Sequence, residues 1–440
     1  MRDYFHDLAR HVDTLAQTGE VILSWLVAEE SDFIRFNRSA VRQATAVRQI
    51  HWTLTLIARN RRFDTRVSLA GNLAADRAVL GALLHELRQG IDDVPEDPFL
   101  LYDTGAATTA HDGAGALPDA ALVLDEVLGA AKGLDLVGLY AGGPIYRGHA
   151  STLGARHWHA VRNFDFSWCL YHDRDKAVKS SYAGSAWEGR EFASRMQFAR
   201  EQLALLGETP RTLAPGGYRA YIAPAAMTEI LGMLSWAGFG LKSRRTKQSG
   251  LIRMAEQDAR LSPLVTLTEN TREGVACGFQ GEGFTRPPSV SLIERGVLAA
   301  PLVSPRSARE YDVPTNGANG DETPESLDLG SGSLAREDAL KALGTGLYIG
   351  NLWYLNFSDR SACRVTGMTR FASFWVEGGK IRAPLNVMRF DDTAYRLLGE
   401  NLESLTCERD LIVDDNSYGE RSTDSMRTPG ALLKELALTL

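Results

Sequence analysis

Residues 344–382 constrain the fold most, because aromatic residues and glycines are concentrated there. The aromatic members are Tyr348, Trp353, Tyr354, Phe357, Phe371, Phe374 and Trp375. Residues 370–376 alternate loosely, break at Glu377-Gly378-Gly379-Lys380 and resume at Ile381, which is typical of a β-hairpin with glycine in the turn. Residues 346–350 indicate a further buried strand. We therefore expect this stretch to form the centre of a C-terminal β-rich domain, with Phe374 and Trp375 in its core.

The chain has 440 residues, more than one hydrophobic core usually serves, so we expect two domains. Strand-like runs within residues 20–70, followed by amphipathic helices, predict an N-terminal α/β domain with a curved sheet flanked by helices. Proline and glycine cluster in residues 207–217, which is typical of a linker. The predicted fold is α+β, with domains at 1–209 and 210–440.

Three local sequence patterns predict a turn, a surface loop and a helix N-cap. Gly142-Gly143-Pro144 predicts a turn after a buried strand. Residues 304–334, rich in Gly, Ser, Pro, Asp and Glu, predict a long mobile surface loop. Asn72 is a candidate N-cap for a helix whose predicted apolar face comprises Ala75, Val79, Leu83 and Leu87.

Composition excludes several classes of protein. The net charge is −7 and no block of lysine or arginine is present, which argues against a nucleic-acid partner. No apolar run approaches the roughly 18 residues of a membrane span. The charged N-terminus lacks the apolar core of a signal peptide, so we expect a cytoplasmic protein. The four cysteines form no C-x-x-C pair and are expected to be isolated buried thiols.

The distribution of histidine limits the chemistry, because the last of the nine histidines is His172. Residues 173–440 therefore offer no imidazole to a metal or to proton transfer. His157 and His159 would lie on one side of a strand, where a metal could use them, or they are polar positions at the start of a strand. An enzyme site among His157, His159, His172, Asp173 and Asp175 stays open as one alternative.

Six segments of the chain form an ordered set: residues 164–171, 175–179, 221–227, 346–353, 367–370 and 378–381. Taken in order over most of the chain, they resemble the TldD/PmbA (TldE) family of bacterial and archaeal peptidase subunits.

In that family the TldD-type subunit carries zinc on a helix with the pattern H-E-x-x-x-H. The resemblance places this helix at residues 224–239, with the motif positions on or near Gly232, Met233 and Ala237. None of these three residues can bind zinc or transfer a proton. A further cysteine ligand of the family corresponds to a position near Tyr418. The chain thus resembles the metal-free PmbA (TldE) type, with no catalytic residue, no cofactor of its own and zinc in the partner subunit.

The resemblance implies a heterodimer with an HExxxH-bearing TldD-type subunit, enclosing a chamber where unfolded peptides are cleaved. Leader-peptide removal and peptide trimming are roles of the family. This chain would then shape the chamber and bind substrate and partner, with Asn351, Trp353, Tyr354, Arg360 and Arg370 as candidate binding residues. The arginines suit carboxylates, and large aromatics often anchor interfaces. A stand-alone homodimeric peptide-binding module is the other alternative.

Overall fold

The structure is a computed structural model that describes residues 1–172 and 176–439. Two sheets organise it, one from each half of the chain. The elements of the N-terminal half are α1 (Arg2–Leu15), β1 (Val21–Asn37), β2 (Ala40–Ala58), β3 (Arg61–Ser68), α2 (Leu73–Gly90), β4 (Thr108–Asp112), α3 (Ala120–Ala130), β5 (Asp135–Ser151), β6 (Arg156–Tyr171), β7 (Ala177–Gly184) and α4 (Gly189–Leu206).

The N-terminal sheet has the strand order β3-β2-β1-β5-β6-β4, and β7 pairs with β6. Its strands are long: β1 has 17 residues and β2 has 19, which corresponds to roughly 60 Å of extended chain. The helix α1 buries Phe5 and Leu8 against Trp52 and Trp158 of this sheet. The predicted sheet flanked by helices is confirmed.

The predicted turn at Gly142-Gly143-Pro144 is wrong, because β5 continues through these residues and pairs with β1 and β6 on its two sides. Gly143 has a φ of 147°, and a Cβ atom there would lie 2.1 Å from the carbonyl oxygen of Glu30. The glycine therefore permits a close approach of two paired strands instead of ending one.

The predicted N-cap of α2 is confirmed, since the side chain of Asn72 accepts hydrogen bonds from the backbone N–H groups of Ala74 and Ala75. The predicted apolar face is wrong in part: Leu87 is buried as predicted, but the helix otherwise buries Asp76, Leu80 and Leu84. Asp76 accepts hydrogen bonds from the hydroxyl of Tyr4 and the backbone N–H of Ala70. These hydrogen bonds favour the orientation of α2 in which the helix face that carries Asp76 packs against the core.

The second sheet has the order β11-β10-β9-β12-β18-β16-β14-β13-β8, with β15 on β14 and β17 on β18. An additional β18–β8 pairing closes the path from β8 through β13, β14 and β16 into a ring. The elements are β8 (Gly216–Ile222), α5 (Pro224–Ser235), α6 (Leu241–Arg245), α7 (Ile252–Glu256), β9 (Leu267–Glu269), β10 (Val290–Glu294), β11 (Val297–Leu298), α8 (Pro305–Tyr311), β12 (Ser326–Leu329), α9 (Ala339–Leu343), β13 (Gly346–Asp359), β14 (Arg364–Glu377), β15 (Lys380–Pro384), β16 (Arg389–Thr393), β17 (Leu402–Val413) and β18 (Ser425–Leu438).

The predicted hairpin is confirmed: β14 pairs with β15 across Gly378 and Gly379, whose φ values are 57° and 72°. The predicted strand at 346–350 is the first part of the longer β13, which also pairs with β14. The surface loop predicted for 304–334 is wrong in part, since α8 and β12 lie within it. Glu322 of this segment is 2% exposed and accepts hydrogen bonds from the backbone and hydroxyl of Ser304.

One hydrophobic cluster joins the two sheets, since Phe164 and Phe166 pack in it with Tyr348 and Phe374. The α+β fold with two sheet domains is confirmed, whereas the boundary between 209 and 210 stays a prediction. Burial of all four thiols is wrong for Cys407, which is exposed. Within residues 1–172 and 176–439, no helix is long and apolar enough to cross a membrane.

Candidate functional site

A cavity of about 390 Å³ lies where the two sheets meet beside α5. Three walls enclose it: α5, the β6–β7 edge of the N-terminal sheet, and the ends of β17 and β18. The helix contributes residues at spacings of three and four, which lie on one helical face: Ala225, Thr228, Glu229 and Gly232. The other titratable lining residues are Asp165, Lys179, Tyr182, Asp414, Asp415 and Asp424.

The position of α5 follows from its sequence. Pro224 occupies the first turn, where its missing N–H leaves no intrahelical bond unmade. The carbonyl of Pro224 accepts a hydrogen bond from the hydroxyl of Thr428, at 3.1 Å, which ties the helix to β18. The opposite face buries Met227 and Leu231, so Glu229 and Gly232 are left facing the cavity.

The residues that the resemblance places on or near the motif positions do not fit a zinc ion. Gly232 faces the cavity, and a Cβ atom built on it meets nothing within 4 Å. Met233 is buried at 7% exposure, and Ala237 lies past the end of the helix with a φ of 62°. Over the part of the chain that the structure describes, no three His, Cys, Asp or Glu side chains are grouped to hold a metal.

The segment between β17 and β18 forms the third wall and is anchored in the N-terminal sheet by Arg421. This guanidinium donates hydrogen bonds to the side-chain oxygen of Asn163, at 2.9 Å, and to the carbonyl of Gly143, at 3.3 Å. It also lies 3.6 Å from the carboxylate of Asp165. Tyr418 of the same segment is 96% exposed and lines a neighbouring cavity, so it does not share a space with Gly232.

Burial raises the pKa values of several carboxyl groups that line the cavity. Burial raises the pKa of Asp165 to about 7, although the nearby Arg421 opposes this shift. The pKa of Asp424 is also raised to about 7 by burial and by the charge of Glu325. Burial raises the pKa of Glu229 as well. The cavity therefore contains carboxyl groups that lack the solvation they would have in water.

Two buried polar side chains line the cavity without a hydrogen bond to any described residue. They are Asn351 of β13, 7% exposed, and Ser425 of β18, 6% exposed. Their polar atoms are not among the fully buried ones, so the amide and hydroxyl groups open into the cavity and are available to a molecule there.

Two aromatic groups lie on the surface outside the cavity, one of Trp236, Phe357 and Arg360 and the other of Trp353, Tyr354 and Arg370. We call the two groups together the aromatic platform. Trp236 is 54% exposed, Trp353 is 42% exposed and Tyr354 is 76% exposed. The Arg360 guanidinium lies 4.6 Å from the ring centre of Trp236, and that of Arg370 lies 4.4 Å from the ring centre of Trp353. Neither arginine makes an ion pair with a described residue. Phe374 and Trp375, by contrast, are buried as predicted.

Backbone irregularity explains why two adjacent aromatics both reach the surface. The pairing of β13 with β14 shifts register between Trp353 and Asn356, which marks a β-bulge. Tyr354 has a φ of 58° and Phe371 a φ of 57°, a conformation that is uncommon for bulky residues. Bulges and strained residues concentrate near functional sites. Strand β13 connects the cavity with one group of the platform, since Trp353 follows the lining residue Asn351 by two residues.

The histidines predicted as an alternative site do not come together. His157 and His159 lie on β6 and are 0% and 5% exposed. His172 follows the opposite end of β6, roughly 40 Å away along an extended strand, and Asp173 and Asp175 lie outside the described residues. We call His111, His149, His157 and His159 the histidine cluster; its rings stack in pairs, His111 on His159 and His149 on His157.

The cluster is closed to solvent in its centre, because His149 and His157 are both 0% exposed. Burial lowers the pKa of His149 to about 3 and that of His159 to about 4, so both imidazoles are neutral at pH 7. His157 also stacks on Phe279, with ring centres 5.3 Å apart. These contacts indicate a structural role.

Sequence reasoning missed the acidic residues of the cavity. Asp414 and Asp415 directly follow β17, and adjacent carboxylates at the end of a strand are a signal that was available. Glu229 gave no signal of its own, since a single glutamate on an amphipathic helix is usually a solvated surface residue.

Comparisons with known proteins agree with this architecture. Residues 215–439 match the family model described as the PmbA/TldA metallopeptidase C-terminal domain. No curated protein matches the sequence. TldE from Thermococcus kodakarensis has a similar structure, with a TM-score of 0.81 and 11% identity over 99% of this chain and 100% of that chain.

Two further structures are similar, each described as a proposed modulator of DNA gyrase. The one from Thermotoga maritima has a TM-score of 0.78 and 14% identity, covering 99% of this chain and 100% of that chain. The one from Bacteroides thetaiotaomicron has a TM-score of 0.74 and 13% identity, covering 100% of this chain and 98% of that chain. At these identities the likeness concerns the fold. Because the family model spans more than half of the 440 residues, this chain belongs to the TldD/PmbA family of metallopeptidases.

Proposed function

We propose that this chain is the non-catalytic subunit of a heterodimeric TldD/TldE-type zinc metallopeptidase that encloses and cleaves unfolded peptides. The observation that carries the proposal is the composition of α5 and its end. By the resemblance, the two histidines and the glutamate of the TldD-type motif fall on or near Gly232, Ala237 and Met233, and residues 173–440 contain no histidine. TldE from Thermococcus kodakarensis shares this fold along its whole length, which supports the same assignment.

The aromatic platform is the surface we propose for the zinc-bearing partner. Large exposed aromatics that carry stacked arginines have the composition of interface hot spots. Trp353 and Tyr354 would supply most of the buried area, and Arg360 and Arg370 would pair with acidic residues across the interface. Stacking on indole and phenyl rings already fixes both guanidinium groups, so less conformational entropy is lost on binding.

The substrate we propose is an extended peptide, held in a chamber that both subunits enclose. Extended peptides bind by adding a strand to a sheet edge, where main-chain hydrogen bonds give affinity that tolerates many sequences. Such recognition suits leader-peptide removal or peptide trimming in the cytoplasm. The chemistry of cleavage would belong to the partner's zinc.

Co-expression with an HExxxH-bearing TldD-type chain tests this function. We expect a one-to-one complex, zinc in the partner alone, and peptide cleavage that needs both chains. A matched sample of this chain alone should cleave nothing. Stoichiometric zinc and cleavage by the isolated chain would contradict the proposal, and an isolated homodimer that ignores the second chain would favour the stand-alone peptide-binding module.

A further inference from the structure

The cavity beside α5 has an unbalanced charge. Its lining residues include the carboxyl groups of Asp165, Glu229, Asp414, Asp415 and Asp424, against the single ammonium group of Lys179. Arg421 lies behind Asp165 and pairs with it. The side chains of Glu229, Asp415 and Asp424 make no hydrogen bond or ion pair with any described residue.

Asp165, Glu229 and Asp415 line the same cavity, and their negative charges repel one another across it. In agreement with this placement, the charge of Asp415 adds to burial in raising the pKa of both Asp165 and Glu229. A positive group placed there would relieve that repulsion.

A metal ion does not suit the arrangement. Metals need ligands within about 2.0–2.6 Å of one point, and no three acidic, histidine or cysteine side chains among residues 1–172 and 176–439 are grouped in that way. The volume of about 390 Å³ instead admits a long organic cation, such as a guanidinium group on its aliphatic stem. Phe166, Ile412 and Met426 also line the cavity and supply apolar surface for such a stem.

Asn351 and Ser425 provide an independent indication of a ligand. Both are more than nine-tenths buried and line the cavity, yet their side chains have no partner among the described residues. An asparagine amide offers a donor and an acceptor together, which matches the C=O and N–H groups of a peptide main chain. A free small cation would leave this capacity unused.

We propose that the cavity beside α5 is a subsite for a lysine or arginine side chain of an extended peptide. Glu229 and Asp415 bind the cationic end, while Asn351 and Ser425 bond the adjacent main chain. The absence of a side chain at Gly232 keeps the cavity open. Taking a peptide as the ligand rests on the proposed function, but cation recognition concerns this chain alone.

Calorimetry on the full chain without a partner tests the proposal. The probes are acetyl-Ala-Arg-Ala-amide, its citrulline analogue, which is neutral and nearly the same shape, and arginine amide. We expect the arginine peptide to bind at least tenfold more tightly than the citrulline peptide. The Glu229→Gln/Asp415→Asn variant should lose this preference, and Asn351→Ala should weaken both peptides by a similar factor.

The control variant is Glu86→Gln/Glu208→Gln, which removes the same charge from two exposed positions outside the cavity. It should keep the preference and show unchanged thermal unfolding, whereas Glu229→Gln/Asp415→Asn should unfold at the same or a higher temperature because it removes repulsion between carboxylates. Equal affinity for the two peptides, no binding at millimolar concentration, or a preference that survives Glu229→Gln/Asp415→Asn would overturn the subsite. Arginine amide binding as tightly as the tripeptide would overturn the peptide assignment. Complex formation with a TldD-type chain is measured separately, so either proposal can fail alone.

Discussion

The histidine cluster and the cavity beside α5 both concentrate titratable side chains, but they differ in their access to other molecules. His149 and His157 are 0% exposed and stack on each other. Glu229 faces an open space of about 390 Å³ and has no partner among the described residues. The comparison shows that residue type alone is a poor guide to function. The histidines had the more suggestive chemistry in the sequence, and the carboxylates have the accessible geometry.

The same contrast separates the aromatic residues. Trp52 and Trp158 are buried in the N-terminal core, whereas Trp236 and Trp353 lie on the surface. We therefore expect substitutions in the closed region to lower stability, and substitutions in the open region to lower binding with the fold intact.

The largest effect is expected at Arg421, which is a buried residue that nevertheless anchors one wall of the open cavity. We expect Arg421→Met to destabilise the protein by about 3 kcal/mol, since it leaves the carboxyl of Asp165 buried without its partner. Denaturant unfolding measures this loss. Adding Asp165→Asn to the variant should recover part of it.

Arg42→Met is the matched control, because Arg42 is exposed on β2, and its effect should lie within about 0.5 kcal/mol. If Arg421→Met lowered the free energy of unfolding no more than the control, the hydrogen bonds of Arg421 would not stabilise the packing of the two sheets.

The next largest effect should come from the aromatic platform. We expect Trp353→Ala/Tyr354→Ala to weaken binding of a TldD-type partner by roughly 30- to 100-fold, which corresponds to a hot-spot contribution of about 2–3 kcal/mol from the pair. Thermal unfolding of the isolated chain should be unchanged. Surface plasmon resonance with immobilised partner measures the affinity.

Phe198→Ala supplies the control, since Phe198 is 51% exposed on α4 and does not belong to the platform. If this control weakened binding as much as the double variant, the interface would have to lie elsewhere.

In the closed region, His157→Ala should cost about 2 kcal/mol of stability. It removes stacking on Phe279 and a 2.9 Å hydrogen bond with the hydroxyl of Thr109. Partner binding and peptide cleavage by the assembled complex should not change. The exposed His85→Ala serves as control. If the His157→Ala complex still formed but no longer cleaved peptides, the result would favour a catalytic site at the histidines.

The smallest effect concerns pH. Because burial lowers the pKa of His149 to about 3, the folded state binds its proton less readily than the unfolded state does. The contribution of His149 to stability is complete above pH 6.5 and is lost as pH falls from there towards 3. Between pH 7 and 5.5 this amounts to about 1 kcal/mol.

His149→Leu should therefore flatten the dependence of unfolding free energy on pH over that interval. Denaturant titrations at pH 5.5, 6.2 and 7.0 measure the slope. An unchanged slope in the variant would mean that His149 can take up a proton in the folded state, and the cluster would not be closed.

Local predictions succeeded where neighbouring residues decide the outcome. Asn72 caps α2 because its side chain reaches N–H groups two and three residues away. Gly378-Gly379 turns the chain between β14 and β15 because glycine adopts positive φ without strain. The fold class also followed from periodicity and length.

Predictions failed where distant residues decide. Gly142-Gly143-Pro144 has the composition of a turn, but two flanking strands hold it extended within β5. The stripe of α2 that faces inward was selected by the hydrogen bonds of Asp76 to Tyr4 and Ala70. No pattern within the helix contains that information.

By itself, the sequence determined the fold class, the hairpin of residues 344–382 and the absence of histidine after residue 172, because these depend on local propensity or on simple counting. The tertiary structure alone decided which charged groups share a space. Asp165, Glu229 and Asp415 come from three separate segments, and only packing of the two sheets against each other brings their carboxyl groups to one cavity. Exposure of Trp353 and Tyr354 was decided in the same way, by a bulge that the pairing of β13 with β14 creates.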